Sequence, residues 1–232
     1  MIVISRHAPG EGPGYLADFL EARGQPFCVV KTDLGEPLPT DIRNIDALVF
    51  MGGPMSVNDS LPWIPAALHL IQEATRHKLP VLGHCLGGQL ISKALGGVVT
   101  PNPGREIGWF PVDVVAGAAL ADDWLPGLGP QFEVFHWHGE TFTVPPGAQV
   151  LLSSAGCPRQ GFAYGKSLAL QCHIEMTAAM VRRWINLGAN ELQAGGAFVQ
   201  RAEELLEHLE TRIGQLHEVA DRIYGRWLQG LR

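Results

Sequence analysis

Leu79-Pro80-Val81-Leu82-Gly83-His84-Cys85-Leu86-Gly87-Gly88-Gln89-Leu90 is the stretch on which the reading of this chain turns. Pro80 to Gly83 has the pattern of a short buried strand, and Leu86 to Leu95 that of a helix stopped by Gly96-Gly97. A chain that reverses sharply between strand and helix needs positions free of side chains, and Gly83 and Gly87 stand two residues either side of Cys85. Such a turn pushes the sulfur into the open at the end of a sheet. It also sets the thiol at a helix N-terminus, where free N–H groups and the helix dipole favour the thiolate. Cys85 is therefore the candidate nucleophile. The alternative, a small buried cysteine in a glycine-rich crossover, leaves the coincidence of strand, glycines and helix unexplained.

Working towards the N-terminus, apolar strand patterns recur at Met1 to Ser5, Phe27 to Lys31 and Ala47 to Met51. Tyr15 to Ala22 and Ile64 to Arg76 lie between them at helical spacing, the first stopped by Gly24 and the second bounded by Pro62 and Pro80. Strands alternating with helices predict an α/β fold with a parallel sheet covered on both faces. After Val98 the texture changes to short β-rich runs between Pro and Gly clusters: Ile107 to Val115, Gln131 to Trp137, Val150 to Ser153, Gly161 to Tyr164 and Ser167 to Cys172. These predict an antiparallel extension of the sheet. A helix is expected at Thr177 to Leu187, then one long amphipathic helical stretch from Phe198 to the C-terminus. There Leu205, Leu209, Ile213, Leu216, Val219, Ile223 and Trp227 form a stripe that packs on the body of the fold or, in a homodimer, on a second subunit; packing on the body is the reading preferred. The expected organisation is one domain over 1–232, a core of 1–190 with a helical extension of 191–232.

A thiol nucleophile needs a base, and the base needs an orienting group. Leu168-Ala169-Leu170-Gln171-Cys172-His173-Ile174-Glu175 supplies both, because an apolar strand delivers His173 at its end and Glu175 follows two residues later on the same face. The alternative, Glu175 as only an N-terminal charge for the helix expected near Thr177, is the weaker reading, because it leaves the spacing and setting of His173 and Glu175 unexplained. Acyl chemistry also asks for donors aimed at an oxyanion. The strand ending at Met51 runs into Gly52-Gly53-Pro54, and the Gly53 N–H with the Leu86 N–H makes a sensible pair.

Bulk properties narrow the class. With 17 basic against 23 acidic residues and a net charge of -6, no basic footprint for nucleic acid is present. The four cysteines Cys28, Cys85, Cys157 and Cys172 have no paired short spacing, which fits a reducing compartment and not a disulfide framework or zinc ribbon. The N-terminal run reads as a strand and not as a signal peptide, and no apolar run reaches membrane-spanning length. A cytoplasmic protein without a membrane or nucleic-acid partner is expected.

Taken together, these residues resemble the class I, or triad-type, glutamine amidotransferases. Gly83, Cys85, Gly87 and Gln89 match that family's G-x-C-x-G-x-Q elbow, Gly52-Gly53 its earlier glycine pair, and His173 with Glu175 its late histidine and glutamate. The match runs in order from the first strand to about Thr177, most like the stand-alone proteins related to the glutaminase domain of GMP synthase. The resemblance implies a flavodoxin-like doubly wound core and hydrolysis of a glutamine side-chain amide through a γ-glutamyl thioester on Cys85, with no metal and no cofactor. It also implies that Gly52, the Gln89 side chain and the main chain around Trp137, Gly139 and Glu140 grip the amino-acid end of the substrate. Two positions depart from the family: Cys172 and Ile174 stand where it has phenylalanine and proline around the histidine.

Three rivals follow from the same residues. His136-Trp137-His138 with Glu140 offers ligands that zinc or iron accepts, yet a metal-dependent hydrolase leaves the elbow and the His173/Glu175 pair without a role. A stand-alone γ-glutamyl hydrolase or peptidase would use the same triad on γ-glutamyl conjugates. The sequence holds no ATP-pyrophosphatase motif, so an ammonia-accepting synthetase would be a separate protein. A binding protein that kept the fold and lost the chemistry would not need all three triad residues.

Overall fold

The computed structural model describes residues 1–231. Its first half alternates as the patterning predicts: β1 (Ile2–Arg6), α1 (Tyr15–Ala22), β2 (Phe27–Lys31), β3 (Ala47–Phe50), α2 (Trp63–Arg76), β4 (Val81–His84) and α3 (Leu86–Ala94). These four strands are parallel, with Ile4 of β1 facing Val29 of β2 on one side and Val49 of β3 on the other. Every residue of β3 and β4 is buried, as a strand covered on both faces must be. The period of two divides β1 between two apolar layers. Ile2 and Ile4 join Leu16, Phe19 and Leu20 of α1, whereas Val3 joins Ile64, Ala67 and Ile71 of α2 and Leu90 of α3.

The second half supplies β5 (Val99–Val114), α4 (Ala121–Trp124), β6 (Gln131–Phe142), β7 (Gln149–Ser153), β8 (Gly161–Tyr164) and β9 (Ser167–Leu170). β9 runs parallel to β4 and antiparallel to β8, so it closes a core of strand order β2-β1-β3-β4-β9 and starts the antiparallel part. That core order is the flavodoxin-like one, in which ligands meet the carboxyl ends of the strands. β5 and β6 pair along most of their length, with Glu106 opposite His138 and Ile107 opposite Trp137. The hairpin is longer than its β-rich runs suggest. Pro101, Pro103 and Gly104 break the alternation where the pairing register shifts, between Pro101 and Glu106, so the outer part is invisible to patterning.

The chain ends with α5 (Ala178–Leu187), α6 (Ala189–Ala194), β10 (Phe198–Val199), α7 (Ala202–Leu206) and α8 (Leu209–Leu228). The single long helix expected from Phe198 is thus corrected in two places. Phe198 and Val199 add a short parallel strand against Glu106 and Ile107. His208, at φ 53, then turns the chain left-handed between α7 and α8, which no continuous α-helix allows. The apolar stripe itself is buried from Leu205 to Trp227, in the same layer as α1 and the sheet. Among the described residues no helix is long and apolar enough to cross a membrane.

Candidate active site

β4 ends at His84, and Cys85 caps α3 with φ 49 and ψ -106. A residue with a side chain held there costs about 1–3 kcal/mol, so the surroundings must impose it. They do so through contact. A Cβ on Gly83 would strike the Gly87 backbone, and one on Gly87 would land on the Phe50 carbonyl of β3. The Cys85 N–H meanwhile donates to Leu170 O at 2.8 Å, pinning the elbow to β9. The sulfur borders a cavity of about 700 Å³ that is also lined by Gly53, Gln89, Trp137, Gly139 and Glu140. Around it, the thiol reaches the Trp137 carbonyl at 3.8 Å and the Gln171 amide N–H reaches the sulfur at 3.6 Å. Gln171 is fully buried, and its own carbonyl accepts from the Gln89 amide at 3.3 Å.

β9 stops at Leu170, short of the strand expected to Cys172, so period-two geometry does not carry the chain to Glu175. His173 is placed instead by a backbone exchange with Phe135 of β6, N–H to O at 2.8 Å and back at 3.3 Å. Its ring stands edge-on to Trp184 of α5 at 4.9 Å. Nδ1–H donates to Glu175 Oε1 at 2.6 Å, and Nε2 is buried without an oxygen or nitrogen partner. Burial alone would lower the affinity of His173 for a proton. The Glu175 carboxylate and the nearby Cys85 sulfur outweigh it and hold the imidazole well above the usual histidine range. Burial likewise opposes the Glu175 charge, but His173, then His84, bring its carboxyl down to about 2. The turn that a proline would stiffen is held here from outside, since the Glu175 carbonyl accepts the Tyr15 N–H of α1 at 2.9 Å. Cys172 is fully buried and its thiol is pushed up, by burial first.

The glycine pair after β3 lies beside the elbow. Gly53 packs on the Leu86 side chain and on His7, whose ring joins Met51 O at 3.0 Å and Ser5 Oγ at 3.0 Å. Burial lowers His7 to about 4, so it is a neutral strut under the loop and not a base. Neither the Gly53 nor the Leu86 N–H donates to an acceptor within the described residues. Gly52 does not line the cavity; it leaves room for the Glu11 carboxylate and for His173 Cε1, which would lie 3.2 Å from a Cβ there. Glu140 turns its carboxylate to the Ser56 hydroxyl at 3.1 Å, and the Trp137 indole N–H donates to Glu191 at 2.6 Å.

His136 and His138 do share a face, with ring centroids 6.1 Å apart, but the carboxylate beside them is Glu106 of β5 and not Glu140. The three offer ligand atoms within 4.8 Å of one another. Glu106 already accepts from Ser154 Oγ at 2.6 Å and Gln160 Nε2 at 2.6 Å, and His138 Nε2 lies 3.0 Å away. The Gln160 amide is also 3.3 Å from His138 Nε2, so it occupies the space an ion would need. Burial pushes Glu106 up, yet His138, then His136 and Ser154, bring it below the usual carboxylate range. The donor set reads as a buried hydrogen-bond network centred on Glu106, with His136 Nδ1 and Gln160 Oε1 left unpartnered at its edge.

With this geometry in view, the model of the class I glutamine amidotransferase family matches residues 16–182. The chain belongs to the class I glutamine amidotransferases. It is 34% identical over 207 residues to the glutamine amidotransferase-like protein YfeJ of Salmonella typhimurium, covering 86% of each. It is 35% identical over 187 residues to a GMP synthase (glutamine-hydrolyzing) of Mycobacterium tuberculosis, covering 75% of this chain and 32% of that synthase. The crystal structure of a glutamine amido transferase from Methylobacillus flagellatus superposes with a TM-score of 0.95 at 43% identity, covering 100% of this chain and 95% of that one.

Several residues at the amidotransferase's site have no local signal in the sequence. Gln171 is the exception, a polar residue inside an apolar strand pattern two places before His173. Glu11 arrives on the loop after β1 and lines the cavity with a carboxylate that has no hydrogen-bond partner among the described residues. Burial, helped by the Glu175 charge and opposed by His173, raises it to about 7. A carboxyl raised in the folded state favours folding while it keeps its proton. That stability declines as pH rises from the unfolded carboxylate value to about 7 and is flat above. Glu11→Gln is therefore expected to be more stable than wild type at pH 8 and equal to it at pH 4, as read by denaturant titration at both pH values.

Proposed function

We propose that this amidotransferase hydrolyses the side-chain amide of glutamine through a γ-glutamyl thioester on Cys85, and that the ammonia passes to a separate synthetase. The observation that carries the reading is the strained Cys85 elbow opening on the cavity beside a buried histidine bonded to Glu175 at 2.6 Å. His173 already holds the proton drawn from the thiol, so the sulfur attacks the amide carbon as thiolate. The oxyanion so formed meets the N–H groups of Gly53 and Leu86, and collapse expels ammonia, which takes the proton back from His173. Water, deprotonated by the same imidazole, then opens the thioester to glutamate and free thiol. Glu175 holds the His173 tautomer throughout. Gln89 and the main chain at Trp137, Gly139 and Glu140 hold the amino-acid end, while Gly52, outside the cavity lining, keeps room for Glu11 and His173. The likeness to a glutamine-hydrolyzing GMP synthase supports a synthetase as ammonia acceptor.

The cavity favours a second reading. About 700 Å³ suits a ligand larger than glutamine, and the cavity is also walled by Trp184, Leu187 and Arg183. A γ-glutamyl conjugate would use the extra volume for its amine half. Purified protein offered glutamine and a panel of γ-glutamyl compounds separates the two, with glutamate and ammonia both measured. Ammonia and glutamate in equal amounts from glutamine are expected; glutamate from conjugates without ammonia from glutamine would replace the first reading with the second.

A further inference from the structure

The mechanism above uses one oxygen of Glu175 and leaves the other. Oε1 takes the His173 bond, while Oε2 is buried with no hydrogen bond. What faces it is His84 Nε2 at 3.7 Å. His84, the last residue of β4, is fully buried next to the nucleophile, and its Nε2 also lies 3.0 Å from the Tyr224 hydroxyl of α8. The Tyr224 ring meets His84 edge-on at 5.9 Å and is itself buttressed by Phe19 of α1 at 5.4 Å.

Where the His84 proton sits follows from its neighbours. On Nδ1 it would make a buried N–H with no acceptor, since Nδ1 has no partner, and the Nε2 lone pair would face a carboxylate. On Nε2 it donates to the Tyr224 oxygen at 3.0 Å and turns the positive end of the N–H, not a lone pair, towards Glu175 Oε2 at 3.7 Å, at the cost of a Tyr224 hydroxyl hydrogen with no other acceptor among the described residues. An imidazolium would restore the orphan N–H, and burial holds His84 below the usual histidine range against the pull of Glu175. His84 is thus a neutral ring whose Nε2–H bonds the Tyr224 oxygen and presents its positive end to the spare oxygen from 3.7 Å, beyond hydrogen-bond reach. Burial also keeps the Tyr224 hydroxyl protonated.

We infer that His84 and Tyr224 are a positioning pair behind Cys85, His173 and Glu175: Tyr224 fixes the His84 ring, and His84 Nε2–H steadies Glu175 Oε2 so that Oε1 stays on His173. The inference rests on the triad reading of those three residues. Without the pair, Glu175 can turn about its last torsion, and His173 loses part of the charge that keeps it protonated beside the sulfur. The other titratable groups near this network are Cys85 and Cys172, Glu11 from the loop after β1, and Tyr15 of α1. None of them donates to the Glu175 carboxylate among the described residues.

The test is the pH profile of Cys85 alkylation by a γ-glutamyl diazoketone in wild type, Tyr224→Phe, His84→Leu and His84→Gln, each checked by thermal melting. Tyr224→Phe keeps the buried ring, and His84→Gln keeps an amide N–H near the Nε2 position. The alkaline limb reports loss of the His173 proton. It is expected to move down by about 0.5–1 pH unit in Tyr224→Phe and His84→Leu, with rates at pH 8 reduced roughly 3- to 10-fold, and to stay in place in His84→Gln. If His84→Leu does not fold, Tyr224→Phe against His84→Gln carries the comparison. A labelled wild type whose variants keep its profile, whether or not their rates fall evenly, overturns the pair alone. A wild type unlabelled at Cys85 overturns the triad reading and the pair with it.

Discussion

His173→Ala is expected to slow covalent labelling of Cys85 by a γ-glutamyl diazoketone by about 10³-fold at neutral pH, the scale of losing a positioned acid–base group. The ring is the one group that joins the sulfur to Glu175: its Nδ1 is spent on Glu175 at 2.6 Å and its Nε2 has no other oxygen or nitrogen partner. Gln171 and the Trp137 carbonyl touch the sulfur but cannot accept and return a proton in turn. The variant should also lose stability, and the sign can be worked out. Glu175 has its carboxyl lowered to about 2 in the folded protein, so its contribution is fully present above the unfolded carboxylate value and vanishes as pH falls through about 2. Removing His173 therefore destabilises the fold at pH 7 far more than at pH 2. Stopped-flow or mass-spectrometric labelling gives the first quantity, and urea titration at several pH values the second.

Gly87→Ala is expected to cost about 3 kcal/mol or more and to lower the melting temperature by roughly 10 °C. The added methyl would land on the Phe50 carbonyl of β3, and Gly87 in turn blocks a side chain at Gly83. What the methyl meets is not a flexible side-chain end but the backbone of Phe50 in a buried strand of the sheet. Relief requires α3 to lift away from β3 and β4, which relaxes Cys85 from φ 49 and moves the sulfur. Labelling should fall further than the loss of folded protein explains. Gly214→Ala is the matched control: it lies in α8 with nothing within 4 Å of an added Cβ, and should stabilise by roughly 0.5–1 kcal/mol. Equal melting temperatures for the two variants would contradict the packing account of the elbow.

What could be read from the sequence was local. Strand, glycine and helix patterns placed β1 to β4, α1 to α3 and the elbow, because each depends on residues within a few positions of one another. The Cys85, His173 and Glu175 positions carried the same kind of signal, a strand end followed by a short motif. What escaped reading depends on partners far along the chain. Phe198–Val199 looks like the start of a helix until Glu106 and Ile107 offer it an edge. His208 breaks the last helix through its backbone angle, which the apolar stripe running through it conceals. Glu106 replaces Glu140 beside the two histidines because the β5–β6 register puts it opposite His138. Glu11 and Tyr224 meet the site only after the sheet and α8 have assembled. The missing proline after His173 is offset by a hydrogen bond from Tyr15, 160 positions earlier than Glu175 in the chain.

The central claim is that Cys85 is the acylated nucleophile, and peptide mapping after treatment with a γ-glutamyl diazoketone tests it most directly. The account predicts one adduct per chain, on the peptide holding Cys85, lost in Cys85→Ala and strongly slowed in His173→Ala. An adduct on Cys28, Cys157 or Cys172 with Cys85 unmodified would contradict it.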